Sequence, residues 1–430
     1  MQLRYYQQEA IDCVKDEFNG LLVLPTGTGK SHIISGIAQK YPNDFILVFQ
    51  PSKEILEQNY AKILNVTNNP EEIGIYSASL GQKNIKRITF ATIGSIKSYD
   101  DFNHFKIIIV DEAHLVNADA GKYEKIIRYN FPKILVGLTA TPYRMYTNAY
   151  GSSCWRFLHT TTPRLFNKIA YIYQNKQAFD DGFLVKPTYH EEYYNTSTLD
   201  IKGSEYSEKS ILRLNKAIGL HDKIVESVHY AKRKHNLIFT TSIEEAEIIT
   251  DKLRFNGISS SEISSKNSKK EREKILKDFK SGQLQAVINI GVLTTGFDFP
   301  ALDCIIGARP TMSLGLYIQM IGRGIRPCEG KTSCDYFDIC ANVKVFGKIE
   351  DYVIGGEGKE TYLKNANGYL ITPRSINSDG GDWIIPFGKF RGLKIGQIGR
   401  SYIEYCLKNM GDNFFYKRQF ETELMRRAEL

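Results

Sequence analysis

The sequence predicts an α/β protein of two lobes, each a parallel sheet flanked by helices, followed by a small C-terminal α+β module. Three observations carry that prediction. Short continuous runs of Val, Ile and Leu recur along the chain, as strands buried on both faces require. Amphipathic segments at helical spacing separate them, and strand alternating with helix implies layered α/β architecture. The runs also fall into two sets, one before residue 140 and one after residue 236.

In chain order, the first set is LLVL (21–24), ILVF (46–49), IIIV (107–110) and ILVGL (134–138). The second is LIFT (237–240), AVINI (286–290) and CIIGA (304–308). Helices are predicted between them, for example over EEAEIITDKLRFNG (244–257) and KKEREKILKDFKSG (269–282). The latter sets Ile275, Leu276 and Phe279 on one stripe and stops at Gly282, a C-terminal signal. Residues 143–230 are rich in Tyr and Thr and weakly periodic; after about 345 the chain turns Gly-rich and strand-poor. With 430 residues there is room for two or three domains. The predicted division is lobe one at 1–185, a connector and lobe two at 186–350, and an accessory module at 351–430.

No apolar run is long enough to cross a bilayer, and the N-terminus lacks a signal-peptide profile. A soluble cytoplasmic protein without membrane partners is expected, in the host cytoplasm if a phage encodes it. None of the seven cysteines forms a CxxC pair, and the spacing of Cys328, Cys334 and Cys340 fits no usual zinc finger; reduced thiols are expected. The net charge of +8 fits a polyanionic partner without specifying one.

The first chemistry-bearing stretch is LPTGTGKS (24–31), which joins the first apolar run to the helical segment SHIISGIAQK. A phosphate loop has Gly, four open positions, then Gly-Lys-Ser/Thr; here the first Gly position holds Leu24. The residues nearest Lys30 make the anion nest. Gly27 and Gly29 let the backbone approach, and the N–H groups of Thr26, Gly27, Thr28 and Gly29 converge on phosphate with the helix N-terminus. Lys30 is expected to reach the β- and γ-phosphates of ATP, and the Ser31 hydroxyl to ligate Mg²⁺. The second stretch, IIIVDEAHLV (107–116), is a buried run ending in two acids. Asp111 is assigned to Mg²⁺ and Glu112 to general-base activation of water.

With these motifs in this order, the chain resembles the superfamily 2 helicases and translocases, whose fold is two tandem RecA-like domains. LRYYQQ (3–8) looks like the adenine-recognition element, with Arg4 and Gln7 at the matching positions and Tyr5 where Pro is often found. VFQPSKEILEQ (48–58) and FATIGSI (90–96) resemble motifs Ia and Ib, and GLTATPYR (137–144) contains motif III. LIFTTSIEEAE (237–247), INIGVLTTGFDFPALD (288–303) and YIQMIGRGIRP (317–327) resemble motifs IV, V and VI. The ordered set spans residues 3–327.

The resemblance assigns roles. Gln319, Arg323 and Arg326 match Gln-x-x-Gly-Arg-x-x-Arg; two arginines one turn apart can face one ligand, and arginine fingers stabilise phosphoryl transfer. Gly296 and Asp298 match nucleotide contacts from lobe two. His114, Thr139 and Thr141 match the segment that couples hydrolysis to strand movement. Nucleic-acid contacts are implied for Pro51, Ser52, Lys53, Thr92, Thr240, Thr294 and Thr295, mostly to the backbone, which carries no sequence code.

Residues 292–331 look most like RadD-type and UvsW-type DNA helicases and the motors of restriction translocases; AFDDGFLVKP (178–187) is also RadD-like. The segment 383–410 resembles a small PFGKYKG-type module, with Lys389, Arg391 and Lys394 near Phe387 and Phe390, a composition suited to strand binding. The implied activity is ATP-dependent remodelling of single-stranded or branched DNA by a monomer, alongside other replication or recombination proteins. An RNA helicase, and a duplex-translocating motor of a restriction or defence complex, are the alternatives.

Overall fold

The computed structural model describes residues 3–65, 67, 69–118, 121–147, 153–293, 297–371, 385, 390, 393–409, 419–421, 423 and 424. All seven apolar runs are strands. Lobe one contains β1 (Asn19–Val23), β2 (Ile46–Gln50), β3 (Ile73–Ser77), β4 (Gln82–Lys83), β5 (Ile88–Thr92), β6 (Ile107–Asp111) and β7 (Ile134–Thr139). A hairpin of β8 (Tyr143–Thr147) and β9 (Ser153–Phe157) follows, then β10 (Ile169–Ile172). The sheet order is β10-β1-β7-β6-β2-β5-β3-β4, parallel except for the β3–β4 pair.

The second sheet begins with β11 (Pro187–Glu191); β12 (Ile201–Lys202) and β13 (Glu205–Tyr206) form a separate ribbon. It continues with β14 (Asn236–Phe239), β15 (Ser260–Ile263), β16 (Ala286–Asn289), β17 (Cys304–Gly307) and β18 (Cys334–Asp338). Its order is β11-β18-β17-β14-β16-β15, parallel throughout. The architecture is two tandem RecA-like α/β domains.

Helices cover both faces. In lobe one, α1 (Tyr5–Asp12), α2 (Lys30–Lys40) and α3 (Lys53–Leu64) pack Tyr6, Ile33, Ile37, Leu56 and Ile63 into the core on one side of the sheet. Helix Lys122–Asn130 covers the other with Ile126 and Ile127. In lobe two, helix Lys269–Ser281 starts with a reciprocal Ser268–Glu271 capping box and ends at Gly282, whose φ of 83° is open to glycine.

The strand-poor reading of the chain after 345 is corrected. β19 (Val353–Gly355), β20 (Tyr362–Asn365) and β21 (Gly368–Ile371) form a small antiparallel sheet. Ile349, Tyr352, Leu363 and Ile371 join the main core that runs through both lobes. Polar ties reinforce this. The Gln174 amide exchanges two hydrogen bonds with Ile354, and Asn175 Nδ2 donates to Ile349 O. From lobe two, Tyr317 donates to Gly347 O and Tyr189 to Glu350. Farther on, Ile385, Ile395, Ile398, Ile403, Cys406 and Phe420 form a separate small core around helix Arg400–Asn409. Phe390 packs edge-on against Tyr402. Phe387, Lys389 and Arg391 lie outside the described residues.

Candidate ATPase site and nucleic-acid track

β1 runs straight into the phosphate loop. Leu24 is fully buried and its N–H donates to Thr139 O at 3.0 Å. It thus extends the strand and lies outside the anion nest, which explains why a Gly is dispensable there. Gly27 and Gly29 have φ of 90° and 80°, backbone that glycine adopts freely. Thr28 closes the turn by donating its hydroxyl to Pro25 O. A Cβ on Gly29 would sit 2.8 Å from Gln7 Nε2, so the loop requires glycine there on two counts. α2 then starts at Lys30, with Ser31 buried in its first turn.

α1 braces the loop. Gln7 Nε2 and Tyr6 Oη both donate to Thr28 O, at 3.1 and 2.7 Å. Arg4 lies 4.1 Å over the Phe183 ring, and Tyr6 stacks on Tyr173. Tyr173 and Phe183, near the end of lobe one, therefore buttress the start of α1 that braces the loop.

β6 carries the acids to the C-terminal edge of the sheet, where ligands of open α/β sheets bind. Asp111 accepts from Asn59 Nδ2 at 3.1 Å and from the Glu112 N–H at 3.0 Å. Burial, then the neighbouring Glu112 charge, pushes its carboxyl up to about 7. Burial also opposes ionisation of Glu112, but Lys30 and then His114, Arg323 and Arg326 hold it below the ordinary value. Lys30 Nζ stands 4.0 Å from Glu112. Glu112 is in the left-handed region at φ 50°, uncommon for a non-glycine residue and frequent at functional sites.

Lobe two closes on this loop. A Cβ on Gly27 would lie 3.0 Å from Arg326 Cγ, and one on Gly322 would lie 3.1 Å from Thr26. Arg323 and Arg326 both donate to Phe297 O, and Arg326 also to Asp298 at 2.5 Å. Asp298 pairs in turn with Lys62 of α3 at 3.4 Å, across the lobes. The Arg326 Nε is buried without a hydrogen-bond partner among the described residues, a donor suited to a phosphate oxygen.

A continuous chain joins the lobes behind these groups. Gln319 Nε2 donates to His114 Nε2 at 3.2 Å, and His114 Nδ1 meets the Thr139 hydroxyl at 3.1 Å. Thr139 also accepts from the Thr141 N–H. Burial keeps His114 below its ordinary pKa, consistent with a neutral ring carrying its proton on Nδ1.

The site fits Mg²⁺ with a nucleotide. One carboxylate, a helix-start hydroxyl and phosphate oxygens suffice for this cation, which keeps several waters. No cluster of three or more His, Cys, Asp or Glu able to hold a metal occurs among the described residues.

The described lobe-one candidates follow strands of the sheet that carries Asp111, and Thr240 follows a strand of the second sheet. Pro51, Ser52 and Lys53 follow β2, with Ser52 capping α3 by accepting from Ile55 N. Thr92 ends β5 and shares its hydroxyl with Ser77 and Ser95. Thr240 follows β14 but is 1% exposed and donates its hydroxyl to Glu245 at 2.5 Å. As placed here, that side chain shapes the strand end and presents nothing at the surface. Thr294, Thr295 and Gly296 lie outside the described residues.

The family model described as "Type III restriction enzyme, res subunit" matches residues 1–144, and that described as "Helicase conserved C-terminal domain" matches residues 219–328. The chain belongs to the superfamily 2 helicases. Its relatives include a Saccharomyces cerevisiae protein named as the ATP-dependent helicase IRC3, 26% identical over 78% of this chain and 51% of its own length. A 51.5 kDa protein of a Lactococcus phage is 26% identical over 72% and 63%. The DNA 3'-5' translocase XPB2 of Sulfurisphaera tokodaii is 25% identical over 76% and 79%. The chain thus spans between half and two-thirds of the first two. The Type ISP restriction-modification enzyme LlaBIII bound to DNA shares the fold at TM-score 0.58 and 18% identity, over 78% of this chain and 27% of its own. Dbp5 of S. cerevisiae bound to RNA does so at 0.53 and 18%, over 78% and 83%.

Sequence reasoning missed several groups that this helicase brings to the site: Asn59, Lys62, Tyr6, Tyr173 and Phe183. Asn59 and Lys62 lie one turn apart on α3, directly after motif Ia, but nothing in that spacing signals that one reaches Asp111 and the other Asp298.

Proposed function

We propose that this helicase hydrolyses ATP with Mg²⁺ and uses the lobe movement to translocate on and remodel DNA at forks or junctions. The observation that carries the reading is Arg326 of lobe two lying over Gly27 of the lobe-one phosphate loop. Lys30 and the loop amides hold the β- and γ-phosphates, and Glu112 takes a proton from the attacking water. Ser31 and Asp111 would hold Mg²⁺, which would supply charge neutralisation at the phosphate oxygens. Arg323 and Arg326 stabilise the charge in transfer, worth roughly 10³- to 10⁵-fold for such fingers. In exchanging Asp298 for phosphate, Arg326 loosens its tie to the acid that Lys62 also holds. The Gln319–His114–Thr139 chain carries that change to the strand ends where Ser52 and Thr92 stand.

DNA is favoured over RNA because XPB2 is named as a DNA translocase. The match to a restriction res subunit over residues 1–144 supports a second reading, a motor that travels on duplex without separating it. The test is the ATPase rate alone and with single-stranded DNA, duplex, a four-way junction or single-stranded RNA. Greatest stimulation by the junction supports remodelling of branched DNA. Stimulation by duplex without strand displacement supports the second reading, and stimulation by RNA alone rejects both.

A further inference from the structure

We propose that lobe one carries a second phosphodiester-binding site, a basic cleft beside the β8–β9 hairpin and separate from the track at the strand ends. The inference rests on the reading of the chain as a DNA motor and adds where the DNA backbone is gripped. Two cavities, of about 250 and 320 Å³, meet at Thr161 and Thr162. Arg144 and Arg156 line the first, and Arg164 and Lys359 the second; no carboxylate lines either among the described residues. Arg164 and Lys359 are exposed.

The hairpin itself points to an anion. Arg144 and Arg156 are directly opposed across its two strands. Both also line the first cavity, and a cleft walled by one sign of charge draws counter-ions. Two more cations in an adjoining cavity extend the positive surface beyond one small anion, to the reach of a backbone with a charge at every nucleotide. The second cavity is built from two segments far apart in sequence, 159–167 and 358–359. His159 Nε2 lies 2.9 Å from Gly358 O and 3.0 Å from the Thr361 hydroxyl, which sets Lys359 beside the Arg164 segment.

The cleft is also wired to the motor. Arg144 Nη1 donates to Val116 O at 2.7 Å. Val116 lies two residues past His114, and Arg144 three past Thr141. A phosphate drawn to Arg144 therefore pulls on the segments that follow motifs II and III. This gives DNA held in the cleft a route to the rate of hydrolysis without touching the catalytic groups.

The test compares the full chain with the R164Q/K359Q double variant, and separately with R156Q. A fluorescent duplex bearing a single-stranded arm is titrated at several salt concentrations. The expected result for the double variant is roughly tenfold weaker binding and a salt slope smaller by about 1–2, as for the loss of two phosphate contacts. The ATPase rate without DNA should be unchanged. R156Q should weaken binding in the same direction. Unchanged affinity and slope in both variants, with the unaltered chain binding normally, overturn the cleft alone. Failure of the unaltered chain to bind DNA overturns the DNA reading itself.

Discussion

Glu112 is the residue on which the proposed chemistry turns. Its left-handed backbone follows a strand that ends in the buried Asp111, and four cationic or basic side chains keep it ionised. Glu112→Gln keeps the shape and removes the base, so hydrolysis should fall at least ~10²-fold while a fluorescent ATP analogue still binds. Unchanged turnover would reject the general-base role. Asp111 predicts a pH effect of definite sign. Burial and Glu112 raise it to about 7, so below that pH the empty site holds a protonated carboxyl that cannot ligate a cation. The Mg²⁺ concentration for half-maximal ATPase should therefore be higher at pH 6 than at pH 8. Equal values would show that Asp111 does not gate the metal.

At the scale of elements, the 349–371 segment is held to lobe one by His159 and Gln174. His159 is 3% exposed and burial lowers its pKa. A His depressed in the folded state contributes stability that is intact above about pH 6.5 and lost as pH falls through its folded value. His159→Ala should cost about 1–3 kcal/mol at pH 7.5, for leaving buried partners unpaired. It should also shrink the drop in melting temperature between pH 7.5 and 5.5, which calorimetry at both pH values reads directly. The same scale shows what the sequence could convey. β1, β2, β6, β7, β14, β16 and β17 are buried on both faces and announced themselves as apolar runs. β11 (PTYHE) and β15 (SSEI) are sheet edges, and an edge tolerates polar residues. β18 (CDYFD) is internal, but its acids are satisfied by groups outside the strand. Asp335 pairs with Arg233 and His190, and Asp338 accepts from the Val343 N–H. The candidate catalytic residues could be proposed from sequence because phosphate chemistry fixes their local spacing. Lys62 and Asn59 were not, because their partners are remote in sequence: Asp298 of lobe two and Asp111 at the end of β6.

For the whole molecule, the two lobes and the small sheet share one core, and this decides where the chain can be cut. Tyr352, Leu363 and Ile371 are each no more than 5% exposed and pack with residues of both lobes. Removing them uncovers apolar surface worth about 1.5–3 kcal/mol per side chain. That is a large share of the ~5–15 kcal/mol that keeps a typical domain folded. The six-residue core around helix Arg400–Asn409 is by contrast a separate cluster. A protein ending at residue 371 should therefore keep the melting temperature of the lobes and the ATPase rate without polymer. One ending at 350 should melt at least 10 °C lower or fail to remain soluble, as ~2–4 °C per kcal/mol implies for a domain of this size. Its loss of ATPase would then follow from lobes that no longer hold Arg326 over the phosphate loop. If the chain ending at 350 melted and hydrolysed ATP like the chain ending at 371, the small sheet would be a passive appendage and not part of the motor's frame.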